Sequence, residues 1–299
     1  MFRTSTARFV CLAILLQVLP GCSCGRRSGN PLDGAVGNDR QGNDSQADSM
    51  IDDCSEQARW VYALGIDGRL IRFYPDMLRF EAVGTVDCGE FSQTFSMAVD
   101  RDATAWVLYE NGRLYRVSTT DASCEPTSFV PGQHDFEVFG MGFASNERGS
   151  EDETLFIAGG PVIGVGFGNA TLGTLTTDSL TVSPIGLLDG SPELTGTGAA
   201  ELWGFLPDTN PMSVQQFNKT DASTLQNFPL NPLGTGTPRA WAFAFWGGRF
   251  YMFLQTDAQP STNVWRLDPT NGNIDEVVHD SGFVIVGAGV STCAPVIII

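Results

Sequence analysis

Met97-Ala98-Val99, Trp106-Val107-Leu108-Tyr109, Gly112-Arg113-Leu114-Tyr115-Arg116 and Pro126-Thr127-Ser128-Phe129 follow one another along a single stretch of the chain. The first run has a small central residue and the second is rich in aromatics. The third opens on Gly-Arg-Leu, and the fourth is mixed. Runs this short, separated by Gly, Asp, Asn and Pro, read as strands joined by tight turns.

The same order recurs along the chain. Small central residues of the first run are Ala98, Gly142, Gly198, Ala242 and Gly289. Second runs are Trp60–Ala63, Trp106–Tyr109, Leu155–Ala158, Leu202–Phe205 and Phe250–Phe253. Third runs hold Leu70, Leu114, Leu172, Val214 and Val264, spaced 44, 58, 42 and 50 residues apart. Fourth runs fall at Phe80–Val86, Pro126–Val130, Leu180–Ile185, Leu225–Pro229 and Ile274–Val278. Four strands per period of about 40–50 residues is what the blades of a β-propeller require. Gly and Ala suit its innermost strands, where neighbouring backbones crowd together. Ile66-Asp67-Gly68, Glu110-Asn111-Gly112 and Asp268-Pro269-Thr270-Asn271-Gly272 supply the turn chemistry.

One copy is split. Trp60–Val86 has no first run before it, and Val284–Val290 is a first run with nothing after it. Pairing the two ends completes an all-β, five-bladed propeller with four-stranded blades, closed by its C-terminal strand and leaving no open edge at the seam. The longer third period predicts an insertion at Asn146–Glu153 or Gly159–Gly168.

The N-terminus is read separately. Arg3 and Arg8 precede an apolar stretch, Phe9 to Leu19, which is too short to span a bilayer. Residues 1–21 form a signal peptide, residues 22–56 an acidic flexible tether, and residues 57–299 the propeller. The tether is Gly-, Ser- and Asp-rich and nearly free of aromatics, so it cannot offset its ordering entropy by burial. As a coil it spans on the order of 30 Å.

Four further cysteines, Cys54, Cys88, Cys124 and Cys293, form an even set in an exported chain and predict disulfides. Cys293 follows the closing strand and Cys54 precedes the strand beside it, so a Cys54–Cys293 bridge would pin the ring. Cys88–Cys124 then follows by elimination, although the strand directions aim those two toward opposite faces.

Among 299 residues the formal charge is −17, and removal of residues 1–21 takes away two Arg and no acid. Nucleic-acid binding, which needs a basic footprint, is thereby disfavoured. His134 and His279 are the only histidines, and no GxSxG or zinc-type cysteine spacing occurs. The glycines of Gly159-Gly160 and Gly164–Gly168 precede a strand rather than the helix a phosphate site needs. Asp268, Asn271, Asn273 and Asp275 are only loosely spaced like a calcium loop and read as a turn. Trp241, Phe243 and Phe245 alternate with alanines and are assigned to packing between blades, with Trp246 beside them. The expected inner strands carry almost no acid: Asp100 ends one, and Glu201 opens a second strand. That argues against a glycosidase carboxylate pair.

Leu19-Pro20-Gly21-Cys22 resembles a bacterial lipobox, with Cys24 as a second candidate and an ordinary secretory peptide as the alternative. The resemblance implies lipidation of Cys22, hence a membrane-anchored protein of the bacterial cell envelope. Ser23, in place of the Asp that retains some lipoproteins in the inner membrane, points by the same resemblance to the outer membrane. Residues 59–299 are similar to the diverse propeller repeats of bacterial envelope proteins, a resemblance that carries a fold and no functional residues. The expected function is non-catalytic: a monomeric binding or scaffold propeller without a cofactor, presenting a rim of loops to a protein or glycan. The candidate rim loops are Cys88–Phe95, Gln133–Glu137, Asn146–Glu153 and Gly159–Gly168. One alternative is an envelope hydrolase acting on carbohydrate or lactone substrates, which an acid-lined channel would favour. Another is an accessory lipoprotein of an outer-membrane assembly.

Overall fold

Each copy of the repeat folds as one four-stranded antiparallel sheet. The structure is a computed structural model that describes residues 54–297, apart from 161, 164, 165, 168 and 169. The signal segment, Cys22 and most of the tether lie outside the described residues. After a 3-10 turn at Gln57–Arg59, blade I runs through β1 (Val61–Gly65), β2 (Arg69–Tyr74) and β3 (Arg79–Thr85). Blade II is β4 (Thr94–Val99), β5 (Thr104–Tyr109), β6 (Leu114–Ser118) and β7 (Cys124–Pro126). Blade III opens with β8 (Val138–Ser145) and β9 (Glu153–Gly160). It then carries a small hairpin, β10 (Val162–Ile163) and β11 (Gly166–Phe167), before β12 (Thr171–Thr176) and β13 (Thr181–Leu187). Blade IV is β14 (Glu193–Gly196), β15 (Leu202–Leu206), β16 (Ser213–Phe217) and β17 (Thr224–Pro229). Blade V is β18 (Pro238–Trp246), β19 (Arg249–Thr256), β20 (Asn263–Asp268) and β21 (Asn273–Val278). The last strand, β22 (Ile285–Gly289), pairs antiparallel with β1 and completes blade I.

The innermost strands β22, β4, β8, β14 and β18 each pack against the next, closing a ring. Five apolar clusters fill its five blade interfaces. One joins Phe73 of blade I to Phe253 of blade V, and another joins Leu108 of blade II to Phe143 of blade III. The remaining three lie between blades I and II, III and IV, and IV and V. Phe243, Phe245 and Trp246 take the inter-blade packing role expected of them. Phe243 meets Phe205 of blade IV with ring centroids 6.0 Å apart, and Trp246 stacks on Trp60 of blade I at 6.2 Å. Glycine is needed where inner strands meet: a Cβ on Gly142 of β8 would lie 2.9 Å from the Leu194 carbonyl of β14.

Two strand assignments made from sequence are corrected. The inner strand of blade IV is centred on Leu194 and Thr195, and Gly198 sits in the following turn. The outer strand of blade II is Cys124–Pro126 rather than Pro126–Val130. Pro126 offers no N–H to continue a ladder, and Thr127 turns away to donate its hydroxyl to the Leu114 carbonyl at 2.6 Å. The third period is long because of the β10–β11 hairpin.

Cys54 is bonded to Cys293 with Cα atoms 5.9 Å apart, and Cys88 to Cys124 at 5.4 Å. Strand direction had set the second pair on opposite faces. Twist overrides that reasoning, because each strand rotates some 20–25° on its neighbour and an outer strand lies far from parallel to the channel. A Cβ on Gly84, near the end of β3, would accordingly lie 3.1 Å from the Asp121 carbonyl in the β6–β7 turn of blade II. The Cys88 loop therefore passes beside β7.

Candidate functional site

All five inner strands run in the same sense, so the topology decides which loops share an end of the channel. Connections leading into inner strands, together with the hairpins that follow the second strands, gather at one end. That end is termed the mouth. Cys88–Phe95, Gln133–Glu137 and the Gly159–Gly168 segment belong to it, whereas Asn146–Glu153 joins β8 to β9 at the far end. The Gln133 loop is pinned rather than free: the Gln133 amide donates to the Leu180 carbonyl at 2.9 Å, and Phe136 is wholly buried.

A cavity of about 180 Å³ opens at the mouth. Phe95 of β4, Phe139 of β8 and Trp241 of β18 wall it, with Glu110 and Arg239 among its lining residues. Trp241, expected as inter-blade packing, is thus partly given over to the cavity, since its ring is only half-buried while Phe243 and Phe245 are fully enclosed.

Glu193, the first residue of β14, also lines the cavity yet is only 5% exposed. Its carboxylate Oε2 accepts a hydrogen bond of 2.9 Å from the Ser96 hydroxyl of β4, which lies two blades away. The Met141 backbone amide of the intervening β8 donates to the same carboxyl. The side chain therefore reaches over β8 toward β4 and lines the base of the mouth cavity. Gly140 permits this passage, because a Cβ there would sit 3.2 Å from Glu193 Cδ. Burial pushes the carboxyl well above its ordinary range, and the Ser96 and Met141 hydrogen bonds only partly counter that. Glu193 and Arg239 are the only charged side chains on the five inner strands. Sequence reasoning missed Glu193 because it centred that inner strand on Gly198.

The far end is a latch. Glu153 accepts from the Thr292 hydroxyl and from the Arg101 backbone N–H, both at 2.8 Å. The Arg101 guanidinium donates to Thr292 Oγ1 at 3.2 Å and to Cys54 Sγ at 3.5 Å. Burial pushes Glu153 up to about 7. Asp100, raised for the same reason, accepts from the Trp106 indole at 3.0 Å and the Thr104 N–H at 2.8 Å. Glu201 accepts from the Trp203 indole at 3.2 Å. Both acids singled out from sequence thus serve tryptophans at the far end.

The other sequence candidates take structural roles. Asp268 accepts from Thr270 and Asn271 within its turn and pairs with Arg249 at 3.0 Å. The described part of the Gly159–Gly168 segment pairs as the β10–β11 hairpin, and a strand follows it. His279 Nδ1 lies 2.7 Å from Glu276 on the outer edge of blade V, and neither histidine lines the cavity. Among the described residues no three His, Cys, Asp or Glu side chains come together as a metal site.

No protein-family model and no curated protein matches the chain. Among solved structures it is similar to a nidogen/laminin complex, with TM-score 0.44 and 12% identity over 77% of this chain and 97% of that one. It is similar to TolB from Acinetobacter baumannii, with TM-score 0.44 and 11% identity over 73% of this chain and 52% of that one. A third likeness is to an exo-β-1,3-galactanase from Phanerochaete chrysosporium with β-1,3-galactotriose. Its TM-score is 0.42 at 9% identity, over 61% of this chain and 52% of that one. The chain thus spans about half the length of the last two.

Proposed function

We propose that this chain is an exported binding propeller, anchored by lipid at Cys22 on the bacterial outer membrane, that receives a group of a protein or glycan ligand in its channel mouth. The observation that carries the reading is the aromatic-walled cavity floored by Glu193. Binding sites favour such concave, mostly apolar pockets with a few placed polar groups. At about 180 Å³ the cavity is smaller than the roughly 300–1,000 Å³ of sites for drug-sized molecules. It suits one side chain or one sugar unit protruding from a larger ligand. The mouth is mostly apolar, and of its two carboxyls, Glu110 and Glu193, the second is buried and engaged by Ser96 and Met141. That favours binding over hydrolysis by a carboxyl pair free to flank a bond. Two disulfides fit an oxidising compartment.

Two measurements test this. Mass spectrometry of the mature protein is expected to show a lipidated N-terminal Cys22; an unmodified start elsewhere overturns the anchor. A glycan array combined with affinity purification from envelope extract is expected to yield a ligand that Trp241→Ala loses. Retention of every ligand by that variant overturns the mouth as the site.

A further inference from the structure

We propose that the mouth cavity is a socket for a lysine-like alkylammonium group on a protein ligand, with Glu193 as counter-ion and Trp241, Phe95 and Phe139 as walls. This rests on the reading of the mouth as a binding site.

Chemistry separates this occupant from a sugar. A sugar ring needs polar partners around its circumference, and two of those at the mouth are already engaged. The Thr94 hydroxyl donates to the Gly65 carbonyl at 2.7 Å, and the Arg239 guanidinium pairs with Asp257 at 3.4 Å. The rest is a mostly apolar cavity with two carboxyls, Glu193 buried within it and Glu110 at its lining. A lysine side chain has the matching form, a methylene stem with one charged head. Aromatic faces within about 6 Å attract such a head, most strongly where water is excluded.

Charge points the same way. Three charged side chains line the cavity: Glu193 at its floor, Glu110, and Arg239, whose charge is matched by Asp257. The partners of the Glu193 carboxyl are a hydroxyl and a backbone amide. The chain as a whole carries −17, which draws cationic groups toward it. Its own single lysine is not the occupant: Lys219 donates to the Ser145 and Asn146 carbonyls at the far end, at 2.7 and 3.1 Å.

Entry of an ammonium ionises Glu193, and the carboxyl proton leaves to solvent while the ligand keeps its own. Affinity therefore rises with pH until the carboxyl is ionised without help. The probe is Nα-acetyl-lysine methylamide, titrated calorimetrically into the purified mature protein at pH 5 and pH 8. Its Nε-acetylated form and methyl glucoside serve as comparisons. The free lysine probe is expected to bind at one site, at least tenfold more tightly than the acetylated form and more tightly at pH 8. Glu193→Gln, which keeps the shape of the side chain, is expected to lose at least tenfold, with its fold checked by thermal melting. Equal binding of free and acetylated probes, or full binding by Glu193→Gln, overturns the ammonium assignment. If methyl glucoside or the acetylated probe then binds in a Trp241-dependent way, the mouth is still a binding site. If no probe binds and Trp241→Ala alters no ligand found by array or purification, both readings fall.

Discussion

Glu153 changes charge within the ordinary pH range, because burial lifts its carboxyl from about 4.5 to about 7. A carboxyl raised on folding adds stability that is complete below its unfolded value and is lost as pH climbs through its folded one. The far-end latch should thus weaken between pH 4.5 and 7. Urea unfolding at pH 5 and pH 7.5 is expected to show that fall in the parent protein. The fall should be smaller in Glu153→Gln, by at most about 3 kcal/mol. An equal fall in both would remove Glu153 from the account. Backbone proximity sets another limit at single residues. A Cβ on Gly142 would lie 2.9 Å from the Leu194 carbonyl carbon and 3.0 Å from Thr195 Cα, and backbone atoms cannot swing aside. Gly142→Ala is expected to cost about 3 kcal/mol, read as a lower denaturation midpoint with an unchanged slope. Some residue-level features were closed to sequence reading. The third-to-fourth-strand turns of the five blades place Leu78, Ala122, Leu180, Ala222 and Gly272 at φ between 52° and 74°. Only the glycine announces such a backbone; the other four are ordinary in composition.

The closing strand β22 is the element on which the ring depends. It pairs with β1, and the Ser291 hydroxyl just beyond it donates to the Ala58 carbonyl at 2.7 Å. The Cys54–Cys293 bridge, spanning 239 residues of sequence, joins the same two segments. A loop that long constrains the unfolded chain by about 5.5 kcal/mol in the chain-entropy model, against about 4 kcal/mol for the 36 residues between Cys88 and Cys124. Cys54→Ser is therefore expected to lower the melting temperature more than Cys88→Ser, whose bridge lies away from the seam. Equal losses would mean that the seam is held by its ladder alone. The split copy of the repeat was legible because its two halves carry complementary runs. The inner strand of blade IV was not, because Thr197-Gly198-Ala199 matches the small-centred pattern of the other inner runs while the strand itself is centred three to four residues earlier, on Leu194 and Thr195. Glu193 fell outside the expected strand in consequence.

Across the whole molecule, blade number and strand order follow from the sequence because each blade interface repeats one requirement, an aromatic or branched second strand packed on its neighbour. The cavity does not follow in that way. It is built from Phe95, Phe139, Glu193 and Trp241, one from each of four blades, and no spacing along the chain links them. Only ring closure brings them to one place. The latch at the far end bears on access to that place. Cys54 is tied to Cys293 and Arg101 at the end opposite the mouth. If the proposed anchoring through the preceding segment holds, the propeller would be tethered from the end opposite its mouth, like a cup held by its base. Its opening would then face away from the point of attachment.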